Sequence, residues 1–388
     1  MKRSRAAIGV ALAAALLTAA TLTARGDEAG VSEDAILFGQ AAALEGPSSV
    51  LGQRIRHGIV AAFNEINAKG GVHGRKLRLI SRDDGYDPDR SVAETLKLIE
   101  DDKVFALIGA VGTPTAIATI PVTSVRNIPF IGPFSGAEFL RDPELSNVVN
   151  IRASYSAETE TLIKRLTEDR HFTRIGIFYQ DDSFGRDGLA GVKSALARRG
   201  LELAAEGTFE RNTRAVSAAW RTIKRAEPEA IVMVGTYGPS AEFIKLAHRN
   251  GAYPTFVNIS FVGATALARE LGPDGEGVIV SQVVPFPWDR SIKLVADYQA
   301  AQTALDPTTT PDFVSLEGYI SGRLAAAALE KAGPNPTRAG LLDTINATGR
   351  FDISGSLVIV GARAIDAPPK VFLTVIQKDG TFKAVHRL

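Results

Sequence analysis

From Ala35 onward, apolar runs of strand length alternate with amphipathic stretches of helix length. That alternation is the pattern of repeated βαβ units wound on a mostly parallel sheet. The spacing predicts a strand over Ala35 to Ala41 and a helix over Leu51 to Ala68 with Leu51, Ile55, Ile59, Phe63 and Ile66 on one face. Asp87 then caps a helix whose first position is Pro88 and whose inward residues are Val92, Leu96 and Ile99. Phe105 to Ala110 and Ile128 to Ile131 are short apolar strands. Around Asn150 to Ser156 the pattern restarts. Helices are expected over Ala157 to Glu168, Phe184 to Arg199, Ala215 to Arg225 and Ser240 to Asn250. Strands are expected over Arg174 to Tyr179, Glu202 to Phe209, Ala230 to Gly235, Thr255 to Ile259 and Gly277 to Gln282. Two Rossmann-like α/β lobes in tandem are the simplest reading, and 388 residues exceed what one core usually organises.

Composition narrows the function classes. Forty-four basic and forty-three acidic residues leave a formal charge of +1, so no broad field draws in nucleic acid or an anionic membrane. Lys2-Arg3-Ser4-Arg5 followed by an apolar run from Ala6 to Ala20 has the form of an export signal, and Ala24-Arg25-Gly26 places the mature start near Asp27. The run is too short and too rich in alanine and threonine for a membrane anchor. Cysteine is absent, which excludes disulfides, thiolate metal sites and a lipidated tether. A free periplasmic protein, not inserted in a membrane once the signal is removed, is expected.

Three loops present ligand-type chemistry at strand ends, where open α/β sheets bind small molecules. Gly46-Pro47-Ser48-Ser49-Val50-Leu51-Gly52 is the first corner. Val111-Gly112-Thr113-Pro114-Thr115 offers a capping hydroxyl and a proline for the start of a helix. Gly132-Pro133-Phe134-Ser135-Gly136-Ala137-Glu138 is expected to open a helix in the same way. Thr113 and Ser135 could simply cap their helices, or together hold a carboxylate. In the second half, Tyr179-Gln180-Asp181-Asp182-Ser183-Phe184-Gly185 and Gly235-Thr236-Tyr237-Gly238-Pro239 repeat the strand-to-helix corner, with Asp181 and Asp182 solvated or capping.

In wording and position, the stretch from Gln40 to Pro88 resembles the opening of the leucine/isoleucine/valine-binding family of periplasmic solute-binding proteins. The resemblance extends over nearly the whole mature chain. It implies a type I periplasmic binding protein: two Rossmann-like lobes with parallel sheets joined by a hinge that the chain crosses three times. The implied lobes are 27–150 with 283–355 and 151–282 with 356–388, after a signal over 1–26. The resemblance assigns Thr113, Phe134, Ser135 and Gly136 to a ligand carboxylate, Leu51 to packing on its side chain, and Phe184 and Tyr237 to closure from the second lobe, and Gly112 and Ser260 are further candidate ligand-binding positions. Amino-acid-binding members carry an acidic residue where this chain has Ser260. A serine does not offset the desolvation of a buried ammonium. A hydrophobic carboxylate, keto acid or amide therefore fits better than leucine, unless Asp181 or Asp182 substitutes. Arg152, the Gln282 to Trp288 stretch and Glu317-Gly318-Tyr319 resemble hinge and rim structure.

No G-x-S-x-G, H-E-x-x-H, phosphate loop or G-x-G-x-x-G fingerprint is present, and His57, His73, His171, His248 and His386 lack ligand spacing. Capture without catalysis is expected, with no metal or organic cofactor. The implied partners are a small ligand and an inner-membrane ABC permease with its cytoplasmic ATPase, served by a monomer. A sensor reporting to a histidine kinase or chemoreceptor would use the same closure. A receptor for a larger apolar solute is a more remote alternative.

Overall fold

The computed structural model of the protein describes residues 28–360 and 371–388. The expected export signal over 1–26 lies outside the described residues. The first sheet is built from β1 (Ala35–Ala42), α1 (Ser49–Ala68), β2 (Lys76–Asp83), α2 (Pro88–Glu100), β3 (Ala106–Ile108), α3 (Thr113–Val125), β4 (Phe130–Ile131) and β5 (Val148–Val149). Its strands run β2-β1-β3-β4-β5, all parallel. The chain then forms α4 (Tyr155–Glu168), β6 (Ile175–Gln180), α5 (Ser183–Ala197), β7 (Ala205–Phe209), α6 (Ser217–Ile223), β8 (Ala230–Val234), α7 (Tyr237–Arg249), β9 (Thr255–Asn258), α8 (Ala264–Leu271) and β10 (Ile279–Gln282). Strands β7-β6-β8-β9-β10 are parallel in that order, and β6 and β8 are buried along their whole length, as strands covered on both faces must be.

The remaining elements return to both halves. Helices α9 (Lys293–Leu305) and α10 (Phe313–Ala332) pack on α1, and α11 (Arg338–Thr348) packs on α10. A hairpin of β11 (Arg350–Ile353) and β12 (Ser356–Ile359) stays with α10. Then β13 (Phe372–Ile376) and β14 (Phe382–Val385) join the second sheet antiparallel beside β10. The second sheet is therefore mixed at one edge. Strand β12 pairs with β11 and not with the second sheet.

The parallel strands of both sheets reverse order at an internal point, between β1 and β3 in one and between β6 and β8 in the other. The loops leaving those strands stand over the crevice that such a reversal opens. Close helix packing holds the first lobe's loops in register. A Cβ on Gly58 of α1 would lie 1.9 Å from the Ser315 carbonyl oxygen, and one on Gly318 of α10 would lie 2.2 Å from the Ile55 oxygen. The two backbones touch because neither residue carries a side chain.

Several expectations are corrected. The inward face of α2 is Ser91, Thr95, Leu98 and Ile99, whereas Val92 and Leu96 are only half-buried. Ser91 is drawn inward by donating to Asp84 at 2.7 Å. Thr113 is not a cap: α3 starts on it, Gly112 holds the N-cap position, and no side chain caps the helix. No α-helix follows Ser135, only a short 3-10 turn over Glu138–Arg141. Helices α8 and α9 had no counterpart in the sequence reading.

Candidate functional site

The loops that leave β1, β3 and β4 face those that leave β6, β8 and β9, and side chains from both lobes meet in one layer. Thr113 Oγ1 and Ser135 Oγ are 2.8 Å apart and fully buried, so the hydroxyl that would have capped α3 bonds across to the next loop instead. Gly112 makes this approach possible. Its φ is +105°, and a Cβ there would meet the Tyr86 ring at 2.2 Å. The Gly136 carbonyl accepts from Tyr155 N at 2.7 Å, which sets the first residue of α4 against the same loop.

An aromatic nest fills the space between the lobes. Phe261, just after β9, has ring centroids at 5.2 Å from Phe134, 4.6 Å from Phe184, 6.2 Å from Tyr86 and 6.4 Å from Tyr155. Leu51 and Tyr237 flank it. A Cβ on Gly263 would lie 2.6 Å from Leu51 Cδ2, and the Tyr237 hydroxyl points at the first turn of α1, against Ser49 and the Val50 backbone. Further hydrogen bonds tie the lobes together at the rim: Gln180 Nε2 donates to Tyr86 Oη at 3.2 Å and Asn212 Nδ2 to the Gly85 carbonyl at 3.0 Å.

Beside the nest lies a buried ionic cluster. The Arg152 side chain is 1% exposed, its Cζ lies 4.6 Å above the Phe134 ring, and its Nη2 donates to Ser260 Oγ. Glu158 accepts from Ser260 N at 2.7 Å, Ser260 Oγ at 3.0 Å and Ser281 Oγ at 2.5 Å. The carboxylates of Glu158 and Glu317 stand 3.7 and 3.6 Å from the guanidinium. Burial pushes the Glu317 carboxyl up to about 7 against the pull of Arg152, and pushes the Tyr155 hydroxyl up to about 12. A cavity of about 10 Å³, room for about one water, opens here between Phe134, Ser260, Gln282, Phe313 and Glu317. A groove of about 610 Å³ between Phe172, Trp220 and Tyr253 lies at the opposite, amino-terminal end of the second sheet, away from the loops that converge.

The structure thus brings Leu51, Gly112, Thr113, Phe134, Ser135, Gly136, Phe184, Tyr237 and Ser260 into one buried interlobe layer. Asp182 caps α5 and pairs with Arg211, while Asp181 pairs with Arg186 at the surface. Sequence reasoning missed Tyr86, Tyr155 and Glu158 and treated Arg152 and Glu317 as hinge structure. Tyr86 sits at a positive φ of 59°, which a Gly-Tyr-Asp-Pro turn hinted at. Glu158, inside a run of helix-forming polar residues, carries no signal of its burial.

A profile described as a periplasmic binding protein matches residues 35–380. The chain belongs to the leucine/isoleucine/valine-binding family of periplasmic binding proteins. It is similar to a protein named Leu/Ile/Val-binding protein homolog 7 of Brucella abortus, with 25% identity over 92% of this chain and 86% of that one. It also superposes on a possible leucine/isoleucine/valine-binding protein from Rhodopirellula baltica, with a TM-score of 0.85, 37% identity, and coverage of 91% of this chain and 96% of that one. A fatty acid ABC transporter substrate-binding protein from Thermomonospora curvata shares the fold at TM-score 0.82 and 21% identity, covering 92% of this chain and 93% of that one. Among the described residues no helix is long and apolar enough to cross a membrane.

Proposed function

We propose that this periplasmic binding protein captures a small hydrophobic carboxylate, amide, or branched-chain or aromatic amino acid between its lobes and passes it to an ABC-type permease, with no chemistry of its own. The observation that carries this reading is the convergence of six strand-end loops, three from each sheet, on one layer of buried rings and hydroxyls. Rings supply apolar contact to a ligand, and the paired hydroxyls of Thr113 and Ser135 at the start of α3 suit a carboxylate.

The first lobe is taken as 27–150 with 283–360, the second as 151–282 with 371–388. Ligand docks on the first lobe, and the second closes over it with Phe184, Tyr237 and Phe261. Closure responds to ligand only through contacts absent from the open form. In the closed form the rings around Phe261 stand 4.6 to 6.4 Å apart by centroid, so a ligand enters by parting them. The periplasm and the permease follow from this reading, supported by the family and by the transporter named among its structural relatives, and a monomer is proposed with them.

Calorimetric titration of the mature, ligand-stripped and refolded protein tests it. Leucine, 4-methyl-2-oxopentanoate, benzoate and a short amide are the panel. Binding of at least one at micromolar affinity, weakened about tenfold or more by Tyr237→Ala with the fold retained, is expected. Silence across the panel, or a Tyr237→Ala protein that binds as well as the parent, would remove the cleft as the capture site.

A further inference from the structure

The ring nest between the lobes has no slot for a further ring. Phe134 and Phe261 stack with 5.2 Å between centroids and 28° between planes, and Phe184 stands 4.6 Å from Phe261. Carbon atoms in contact sit about 3.5–4 Å apart, so a flat group slipped between two stacked rings needs about 7 Å. The cavity beside the nest, about 10 Å³, admits a water and nothing larger. A ligand that uses these apolar walls must therefore take the place of a ring already there. The other rings stand on anchored backbone. Phe134 N donates to the Ala110 carbonyl at 2.7 Å and its carbonyl accepts from Gly112 N at 3.1 Å. Phe184 N donates to Asp182 at 3.0 Å in the first turn of α5, Tyr155 N to the Gly136 carbonyl at the start of α4, and Tyr86 N to Asp84 at 2.8 Å. Phe261 differs. It touches all four of these rings, yet it rides on a three-residue 3-10 turn, Ser260–Val262, that ends on Gly263 at a left-handed φ of 76°.

We propose that Phe261 holds the place of the ligand's own ring and so sets the ligand class: a flat aromatic acid enters by ring exchange, and Phe261 swings out of the nest and covers it. This inference rests on the cleft-capture reading and narrows it. One six-membered aromatic ring replaces another of the same volume, so the walls refill without strain. The incoming ring regains the stack on Phe134 and the tilted contact with Phe184. Extracting the buried Phe261 side chain costs any ligand about tenfold to a hundredfold in affinity. A puckered or branched acid fits the flat slot less well and recovers less of that cost. The polar end of the ligand also finds a donor in the nest. The Tyr155 hydroxyl is fully buried beside Thr113 and Ser135 and has no hydrogen-bond partner, and its ring centroid is 6.4 Å from that of Phe261.

Benzoate and cyclohexanecarboxylate carry a flat and a puckered ring on the same carboxylate. Both are titrated into the ligand-stripped protein and into Phe261→Ala, Phe261→Leu and Phe134→Ala. The parent is expected to bind benzoate at least about fivefold more tightly than the puckered acid. Phe261→Ala removes the internal competitor, so it should melt lower when free and bind benzoate about tenfold more tightly than the parent. Phe261→Leu, which fills less of the slot, should gain about threefold, and it keeps the test informative if the alanine variant does not fold. Phe134→Ala removes a wall and should weaken benzoate about tenfold. Phe261→4-fluorophenylalanine reads the exchange directly: its fluorine resonance is expected to move toward the solvent-exposed position on saturation with benzoate. Benzoate that binds with that resonance unmoved, or that binds Phe261→Ala no better than the parent, would overturn ring exchange and leave the capture site standing. Capture of aliphatic acids alone would do the same. Failure of every acid, amide and amino acid to bind the parent or Phe261→Ala would overturn the capture site itself, and the inference with it.

Discussion

Arg152→Met is expected to lower the stability of the ligand-free protein by about 3–5 kcal/mol, the range seen when one partner of a buried ion pair is removed. The loss arises from what is left behind. Glu158 and Glu317 would remain in the cleft without their shared cation, both less than a tenth exposed. The effect should depend on pH, and its sign follows from Glu317. Its folded-state carboxyl titrates at about 7, raised from 4.5 by burial. The folded protein therefore holds a proton that the unfolded chain releases near 4.5, and the stability linked to that proton is present below that value and lost as pH rises to about 7. Without Arg152 the ionised form is harder still to hold, so the variant should be closest to the parent near pH 5 and furthest from it near pH 8. Denaturant unfolding of both proteins at those two pH values measures this. Equal stability at pH 8 would mean that the cluster is not the buried, charge-coupled unit described above.

Gly58→Leu is expected to cost about 3 kcal/mol or more, because a side chain at this position has no space to enter. The atom in the way is backbone: Ser315 O would be 1.9 Å from the new Cβ, and Tyr319 N 2.6 Å. Neither can rotate aside as a side chain end would. Helix α1 must then separate from α10, and the two carry Leu51 and Glu317 toward the cleft. Melting should fall by about 5 °C or more, with ligand affinity falling in the same variant. A melting point unchanged within about 2 °C would show that the helices are not in backbone contact.

The fold was legible because parallel strands buried on both faces read as unbroken apolar runs, as Ile175 to Tyr179 and Ala230 to Val234 do. Helix positions followed from caps and periodicity, and Asp87 and Pro88 start α2 as expected. What failed was context. Ser91 and Thr95 face inward on α2, and Ser91 does so because Asp84, from another turn, bonds it there. Thr113 looked like a cap because no sequence rule shows that Ser135 lies 2.8 Å away across the next loop. The ring and hydroxyl positions of the candidate site were readable from strand-end corners and from the family resemblance. Arg152, Glu158 and Glu317 were not, since they come from a crossing segment and two helices, with Glu317 far away in sequence. Arg152 and Glu317 read as hinge and rim structure, and only the tertiary arrangement makes them, with Glu158, a buried cluster.

Capture as proposed requires the two lobes to close around ligand. The chain has no cysteine, so Asp89→Cys on α2 and Asp181→Cys after β6 place one spin label on each side of the cleft without competing sites. Electron–electron distance measurement on the doubly labelled, ligand-stripped protein is predicted to give a broad distribution that includes long, open separations. Addition of 4-methyl-2-oxopentanoate is predicted to collapse it to a single shorter distance matching the closed arrangement. The same narrow distance with and without a ligand that demonstrably binds would contradict closure as the means of capture.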